Sequence, residues 1–256
     1  MNLKLGFIGI GTIADAVIRG ICTFCDIKTQ ISISPRNSKI AGKLAQDFSN
    51  VTISTSNQDV ISVSDYVFIA LRRQILADEL SALSFSKQHK IISFVPTISR
   101  SLLAQYTKQD ISQIYRAVPL PFISEGKIIT PIFPQNSALQ DIFRQTGGTV
   151  VAPNEEQFDV FMLGGSMMGI YFKFMAICAN WLNEQGLDNE QANFYISKLF
   201  NCLSEKALQQ KKPNFARLQQ EYSTKGGTNE MITNLFEQNN GDVFFTKIFN
   251  EVLHIK

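Results

Sequence analysis

The sequence is poor in the residues on which most metal and nucleophilic chemistry depends, with two histidines, four cysteines and one tryptophan in 256 residues. His89 and His254 lie far apart in polar surroundings, which argues against a Ser-His-Asp triad or a histidine-rich metal centre. Cys22 and Cys25 form a Cys-x-x-Cys, but no second pair and no nearby histidine complete a zinc site. Their place late in a helical stretch also lacks the activating helix N-terminus of a redox pair, so both are expected to pack as small apolar groups, with no metal. Charge is scarce as well. Charged residues make up 18%, and 24 Lys+Arg against 22 Asp+Glu leave a net charge of +2 with no run of five like charges. That excludes the dense basic face of a bulk nucleic-acid binder and any polyelectrolyte tail. The opening apolar run breaks at Gly6 and Gly9, short of the roughly 7–15 residues of a secretory core. The stretch from Phe161 to Leu182 is interrupted by Ser166, Lys173, Asn180 and three glycines, and reads as a buried helix, not as a membrane span of about 20 residues. A cytoplasmic chain with no nucleic-acid or membrane partner is expected.

What is present is enough apolar residue, 45%, for a packed interior. The length fits one large domain or two modest ones. Leu3–Ile8 is a short apolar run ending in glycines, the pattern of a buried parallel strand. Strand-like runs recur at Ile31–Ser34, Val51–Ser54, Tyr66–Ala70, Lys90–Phe94, Ile111–Ala117, Lys127–Phe133 and Gly148–Val151. Helical spacing falls between several of them, at Ala14–Cys22, Ser38–Phe48 with Ser38 as N-cap, Leu76–Leu83, Ser99–Tyr106 and Ser137–Gln145. Such alternation predicts an open α/β sheet with helices on both faces. After Pro153 the pattern becomes helical, from Glu155 to Glu205 with breaks at Gly164-Gly165, Gly169 and Gly186, then a loop from Lys211 to Gly227 and a last helical part from Asn229. Two domains are expected, a Rossmann domain over 1–152 and an all-helical domain over 153–256.

Gly9-Ile10-Gly11-Thr12-Ile13-Ala14 matches G-x-G-x-x-G/A directly after a strand and opening a helix. In that setting the first glycine makes the tight turn, the second lets a pyrophosphate approach the backbone, and the small third residue packs helix on strand. An NAD site usually adds a carboxylate about 20 residues on, at the ribose hydroxyl. This chain has Ser34-Pro35-Arg36-Asn37 there. A hydroxyl and a guanidinium suit a 2′-phosphate, so NADP(H) is the expected cofactor, with NADPH preferred over NADH.

These residues resemble the pyrroline-5-carboxylate reductase family over nearly the whole chain. Gly6-Phe7-Ile8-Gly9-Ile10-Gly11, Ala14 and Arg19-Gly20 are similar to its N-terminus. Asn57 matches an asparagine at the adenosine end of the cofactor, and Asp65 to Gln74, with Ala70-Leu71-Arg72 at its centre, resembles D-x-V-F/I-L-A-V-K-P-Q. Arg116-Ala117-Val118-Pro119 and Glu125-Gly126 flank its R-A-M-P-N-T-P…E-G loop. Glu155 to Asp159 followed by Gly165-Ser166 resembles the helix carrying S-G-S-G-P-A-Y, and Ser223 to Asn229 falls where the family has T-S-P-G-G-T-T. The resemblance implies NADPH-dependent reduction of the cyclic imine 1-pyrroline-5-carboxylate to proline, on a Rossmann domain joined to a helical domain that forms a homodimer or higher homo-oligomer.

Hydride transfer to an imine needs neither a protein nucleophile nor a metal, so the shortage of histidine is no obstacle. Gly226, Gly227 and Thr228, opening a helix, with Thr224 and Ser166, are the expected substrate-binding residues. Thr228 and Asn229 are the expected catalytic pair. Asn229 stands where the family has a threonine linked to the imine nitrogen, and an amide is a poor proton donor to a developing amine. The R-A-M-P-N-T-P loop is two residues shorter here, Lys225 replaces a proline, and Arg72-Arg73 replaces Lys-Pro. A related NADP-dependent reductase of another imine or carbonyl, or a catalytically silent NADP binder, are the alternatives. A β-hydroxyacid dehydrogenase would place its catalytic lysine near Lys173, but the asparagine expected soon after is absent, and Lys173 reads as a snorkelling surface charge.

Overall fold

The structure is a computed structural model that describes residues 2–254, with the side chain of His254 outside the described part. The chain divides into two compact units, Met1–Gly165 and Ser166–Lys256.

The first unit alternates strands and helices: β1 (Leu3–Ile8), α1 (Thr12–Phe24), β2 (Thr29–Ile33), α2 (Ser38–Asp47), β3 (Val51–Ile53), α3 (Asn57–Ser62), β4 (Tyr66–Ile69), α4 (Arg73–Ser81), β5 (Lys90–Ser93), α5 (Arg100–Thr107), β6 (Ile114–Ala117), β7 (Thr130–Phe133), α6 (Ser137–Gln145), β8 (Thr149–Val151) and α7 (Glu155–Gly165). The eight strands form one sheet in the order β3-β2-β1-β4-β5-β6-β7-β8. Pairing is parallel from β3 through to β6, β7 runs antiparallel to β6, and β8 is parallel to β7. β1 is thus central, and the chain winds outward on either side of it.

The two-residue period of β1 sorts the core. Leu3, Leu5 and Phe7 join the cluster made with Val17 and Ile18 of α1, Leu44 of α2 and Phe143 of α6. Ile8 joins Val60 of α3, Leu76 and Leu80 of α4 and Leu103 of α5 on the opposite face. Phe7 stacks on Phe68 with ring centroids 4.6 Å apart and planes 11° from parallel, an arrangement that adds to simple area burial. Gly20 of α1 is a point of close approach, since a Cβ there would lie 2.6 Å from the Ile123 carbonyl oxygen.

Local differences from the sequence reading have identifiable causes. The α2 cap is Asn37, whose side chain accepts from the Ile40 N–H at 3.3 Å, so Ser38 is already helical. The run 111–117 is divided, because Asp110 accepts from the Ser112 N–H at 2.8 Å and closes a 3-10 turn at Ile111–Gln113 before β6 starts. Cys22 and Cys25 pack at the edge of the core, where burial pushes both thiols up to about 11 and keeps them protonated near neutral pH.

The second unit is helical: α8 (Met168–Glu184), α9 (Asn189–Leu208), α10 (Phe215–Tyr222), α11 (Thr228–Gln238) and α12 (Gly241–His254). α10 lies inside the stretch read as a loop and starts at Asn214, which accepts from the Arg217 N–H at 3.0 Å. The expectation of a buried helix from Phe161 to Leu182 is corrected. Ala179 is the one buried residue of α8, while Phe172 is 61% and Trp181 58% exposed. The segment Glu155–Glu184 is long and apolar enough to cross a membrane by length and composition, with a mean hydropathy of 1.5. It is two helices, α7 and α8, interrupted at Ser166-Met167, and α7 holds the buried Phe158. The only cluster of buried apolar residues described in this unit is Ala179, Ala192 and Ile196, with Met175, Cys178, Leu182 and Phe200 around it.

Two alanine substitutions test the packing of the first unit. Gly20→Ala is expected to lower stability by about 1–3 kcal/mol through overpacking against backbone. Gly42→Ala, at an exposed α2 position where a Cβ meets nothing within 4 Å, is expected to raise it by roughly 0.5–1 kcal/mol. Denaturant unfolding of both variants checks the pair of signs.

Candidate cofactor site

The carboxyl ends of β1, β2 and β4 open a crevice at the point where the strand order reverses, the usual ligand position in such sheets. β1 ends at Ile8 and the chain bends at Gly9, whose φ is +89°. A Cβ there would stand 2.7 Å from the Ala70 carbonyl oxygen and 3.0 Å from the Leu71 side chain, so glycine is required. The bend is held from β2: the Gly9 N–H donates to Ser34 Oγ at 3.0 Å, and Asn37 Nδ2 donates to the Ile10 carbonyl at 3.1 Å. Ser34 is 1% exposed, so its hydroxyl, expected at a 2′-phosphate, is instead used inside the protein. Asn37 likewise shapes the loop and caps α2.

Gly11 caps α1 with no side-chain hydrogen bond, and a Cβ on it would meet nothing within 4 Å. The space is open, and the N–H groups of Thr12 and Ile13 have no partner within the helix. Ala14 is fully buried and lets α1 sit close on the sheet. Asp15, the acid in the first turn, is neutralised by Arg19, which binds it at 3.0 Å and Asp47 at 2.8 Å. This leaves a helix N-terminus with open donors and no unpaired acid, a cradle for phosphate oxygens. Across the crevice Arg72 caps α4 and Arg73 follows, both exposed and without an ion pair among the described residues. The residues present fit a dinucleotide.

At the outer end of β2, Arg36 NH1 lies 2.6 Å from Glu79 Oε1. Asn57 Nδ2 donates to Glu79 Oε2 at 3.3 Å. Arg36 and Asn57, expected at the adenosine end, are therefore brought together, by a residue the sequence reading did not name. Glu79 lies on α4, 43 residues beyond Arg36, and no local spacing links the two.

Arg116, which opens the stretch resembling the family loop, is a buried anchor of this unit. It is 2% exposed, bound to Glu155 at 3.0 Å, Asp159 at 2.9 Å and the Pro96 carbonyl at 2.7 Å, with its guanidinium 4.5 Å from the centre of the Phe158 ring. It fastens the end of β6 to α7. An apolar groove of about 910 Å³ runs alongside, lined in part by Val118, Leu120, Phe161 and Gly165.

In the second unit the expected substrate residues gather at the turn into α11, apart from Ser166, which stands in the break before α8. Two expected backbone donors are already engaged. The Gly226 N–H donates to Glu230 Oε2 at 2.7 Å, and the Gly227 N–H to the Thr224 carbonyl at 2.8 Å. Gly226, with φ +75°, makes the turn, and Gly227 caps α11 without a side-chain bond. The N–H groups of Thr228 and Asn229 have no intrahelical partner, and the Thr224 and Thr228 side chains are exposed. Asn229 Nδ2 donates to the Tyr222 carbonyl at 2.9 Å and ties α11 to α10.

The chain is similar to known proteins in both parts. Residues 4–96 match the sequence family described as NADP oxidoreductase coenzyme F420-dependent, and residues 155–254 match the family of the pyrroline-5-carboxylate reductase dimerisation domain. Pyrroline-5-carboxylate reductase of Escherichia coli (strain K12) is 26% identical over 203 residues, covering 75% of this chain and 74% of that one. The fold is that of 1-pyrroline-5-carboxylate reductase from Streptococcus pyogenes, with a TM-score of 0.82 at 20% identity over 98% of this chain and 97% of that one. It is also that of the Plasmodium falciparum pyrroline carboxylate reductase solved with NADP bound, with a TM-score of 0.80 at 17% identity over 98% and 95%. The exposed apolar helix α8 falls within the residues matched to the dimerisation domain.

Gly11→Val tests the cradle. A side chain there touches nothing in the protein, so the melting temperature is expected to stay within a few degrees while NADP+ affinity falls at least roughly tenfold through loss of backbone approach. Calorimetric titration beside a thermal melt separates the two; unchanged affinity would remove Gly11 from the site.

Proposed function

The chain belongs to the pyrroline-5-carboxylate reductase family as a distant member, an NADP-binding reductase lineage, and we propose that it reduces 1-pyrroline-5-carboxylate to L-proline with NADPH as the preferred donor. The observation that carries the reading is the uncapped N-terminus of α1 behind an open Gly11, with Arg36 and Asn57 together at the end of β2. Bound NADPH supplies a hydride for the imine carbon. The protein's part is to hold the nucleotide, hold the substrate carboxylate and let a proton reach the ring nitrogen, which yields the secondary amine.

Gly9, Gly11, Thr12, Ile13 and Ala14 form the pyrophosphate cradle, and Ser34 and Asn37 hold it in shape. Ala70 and Leu71 wall the crevice and Arg72 adds positive charge. The N–H groups of Thr228 and Asn229, with the Thr224 and Thr228 hydroxyls, are the donors available to a carboxylate at α11, and the helix dipole adds to them. Gly226 and Gly227 fix that turn, and Ser166 is a further polar group for the substrate. The Thr228 hydroxyl, or water beside it, passes the proton to nitrogen. Asn229 keeps one amide N–H beyond its bond to Tyr222 and orients the nitrogen. The exposed apolar faces of α8 and α9 are covered by a second copy, which makes the working unit a homodimer or larger homo-oligomer.

The tie between Asn229 and Tyr222 favours one alternative, a reductase of another imine or carbonyl. A panel of cyclic imines, with NADPH absorbance as readout, distinguishes the two. Consumption of NADPH with 1-pyrroline-5-carboxylate at near-neutral pH is expected. Nucleotide binding without turnover on that substrate would overturn the proline assignment. Arg36→Ala is expected to weaken NADPH at least roughly tenfold and NADH less than about twofold. Thr228→Val is expected to lower kcat/KM by about tenfold or more with NADPH affinity unchanged. Sedimentation equilibrium is expected to give at least twice the 28.7 kDa chain mass; a monomer at micromolar concentration would contradict the covered-face reading.

A further inference from the structure

We infer that Glu79 determines nucleotide specificity: with one carboxylate oxygen on Arg36 and the other on Asn57, it sets how strongly a 2′-phosphate is preferred to a 2′-hydroxyl. The inference rests on the proposed reading of this end of the crevice as the adenosine end.

Arg36 follows the end of β2, and its side chain is 66% exposed. Among the described residues its guanidinium reaches one ion-pair partner, Glu79 Oε1 at 2.6 Å. Asn57 opens α3 and gives its amide to Glu79 Oε2 at 3.3 Å. Both groups suited to a phosphate are therefore engaged by a single carboxylate. Many dinucleotide folds carry an acid at the end of β2 that accepts from the ribose hydroxyl. This chain has none at that position, yet α4 delivers a carboxylate to Arg36, two residues beyond Ser34.

The two nucleotides meet this carboxylate differently. A 2′-phosphate brings negative charge, must take Arg36 from Glu79 and stays close to a like charge. A 2′-hydroxyl is a donor and is satisfied by the carboxylate as it stands. The ion pair is half open to water, so phosphate can displace it, and its effect is a graded penalty on NADP(H), not a block. Glu79 is thus a specificity-determining residue that narrows the preference Arg36 would otherwise give.

Calorimetric titration of the full chain with NADP+, NAD+, 2′,5′-ADP and 5′-ADP tests this without any catalytic readout. Glu79→Gln is expected to tighten NADP+ and 2′,5′-ADP by roughly tenfold, with NAD+ and 5′-ADP unchanged or weakened a few-fold. Glu79→Ala, which removes both oxygens, is expected to move the NADP+/NAD+ ratio in the same direction. A ratio that shifts less than twofold in both variants, while Arg36→Ala still weakens NADP+, would overturn the role of Glu79 and leave the nucleotide site standing. If the wild-type chain bound neither NADP+ nor NAD+, the site reading would fall and the inference with it.

Discussion

At Gly9 the chain leaves the central strand with a positive φ, at a point where any Cβ would collide with the Ala70 carbonyl oxygen 2.7 Å away. The rest of the first unit is arranged around that bend. β1 can feed its glycine loop into α1 only because its neighbours are parallel and end level with it, so that Ser34 from β2 and Ala70 from β4 flank the turn. The sheet's two apolar faces hold this in place. Phe7 and Phe68 stack on one side, and Ile8 and Ile69 pack on the other. The outcome is an α1 N-terminus whose donors point into open space at no cost in buried unsatisfied groups, because water reaches them until a ligand does.

Charge is arranged to match. Arg19 pairs with Asp15 of α1 and Asp47 of α2, Arg116 is locked between Glu155 and Asp159, and Arg72 and Arg73 beside the crevice have no ion pair among the described residues. Arg36, just beyond β2, is held by the Glu79 carboxylate of α4. The second unit is stabilised differently. Its helices have few buried residues of their own and carry Phe, Tyr, Trp and Met on exposed faces, with Phe194 64% exposed. Such a surface has the apolar, aromatic composition of an interface core, and it falls within the residues that match a dimerisation domain.

Much of the first unit was legible in the sequence because buried parallel strands read as continuous apolar runs. The apolar run Leu3–Ile8 predicts β1 at its observed bounds, and G-x-G-x-x-A marks the loop between that strand and α1. Local chemistry that competes with pattern was not legible. Asn37 displaces Ser38 as cap because its side chain reaches both Ile40 and Ile10. α10 is hidden in a polar, proline-containing stretch. Glu79 was missed because sheet topology, and no sequence spacing, brings α4 to Arg36. The misread burial of α8 has a further cause: an apolar helix looks the same in one sequence whether its own chain or another copy covers it.

The central claim is a preformed dinucleotide cradle at the end of β1, and amide chemical-shift mapping tests it most directly. On titration with NADP+, the Gly9, Gly11, Thr12 and Ile13 amides and the Arg36 guanidinium are expected to shift together and saturably, with the amides of the sheet interior unmoved. No shift at these amides, or shifts confined to the helices after Ser166, would contradict the account.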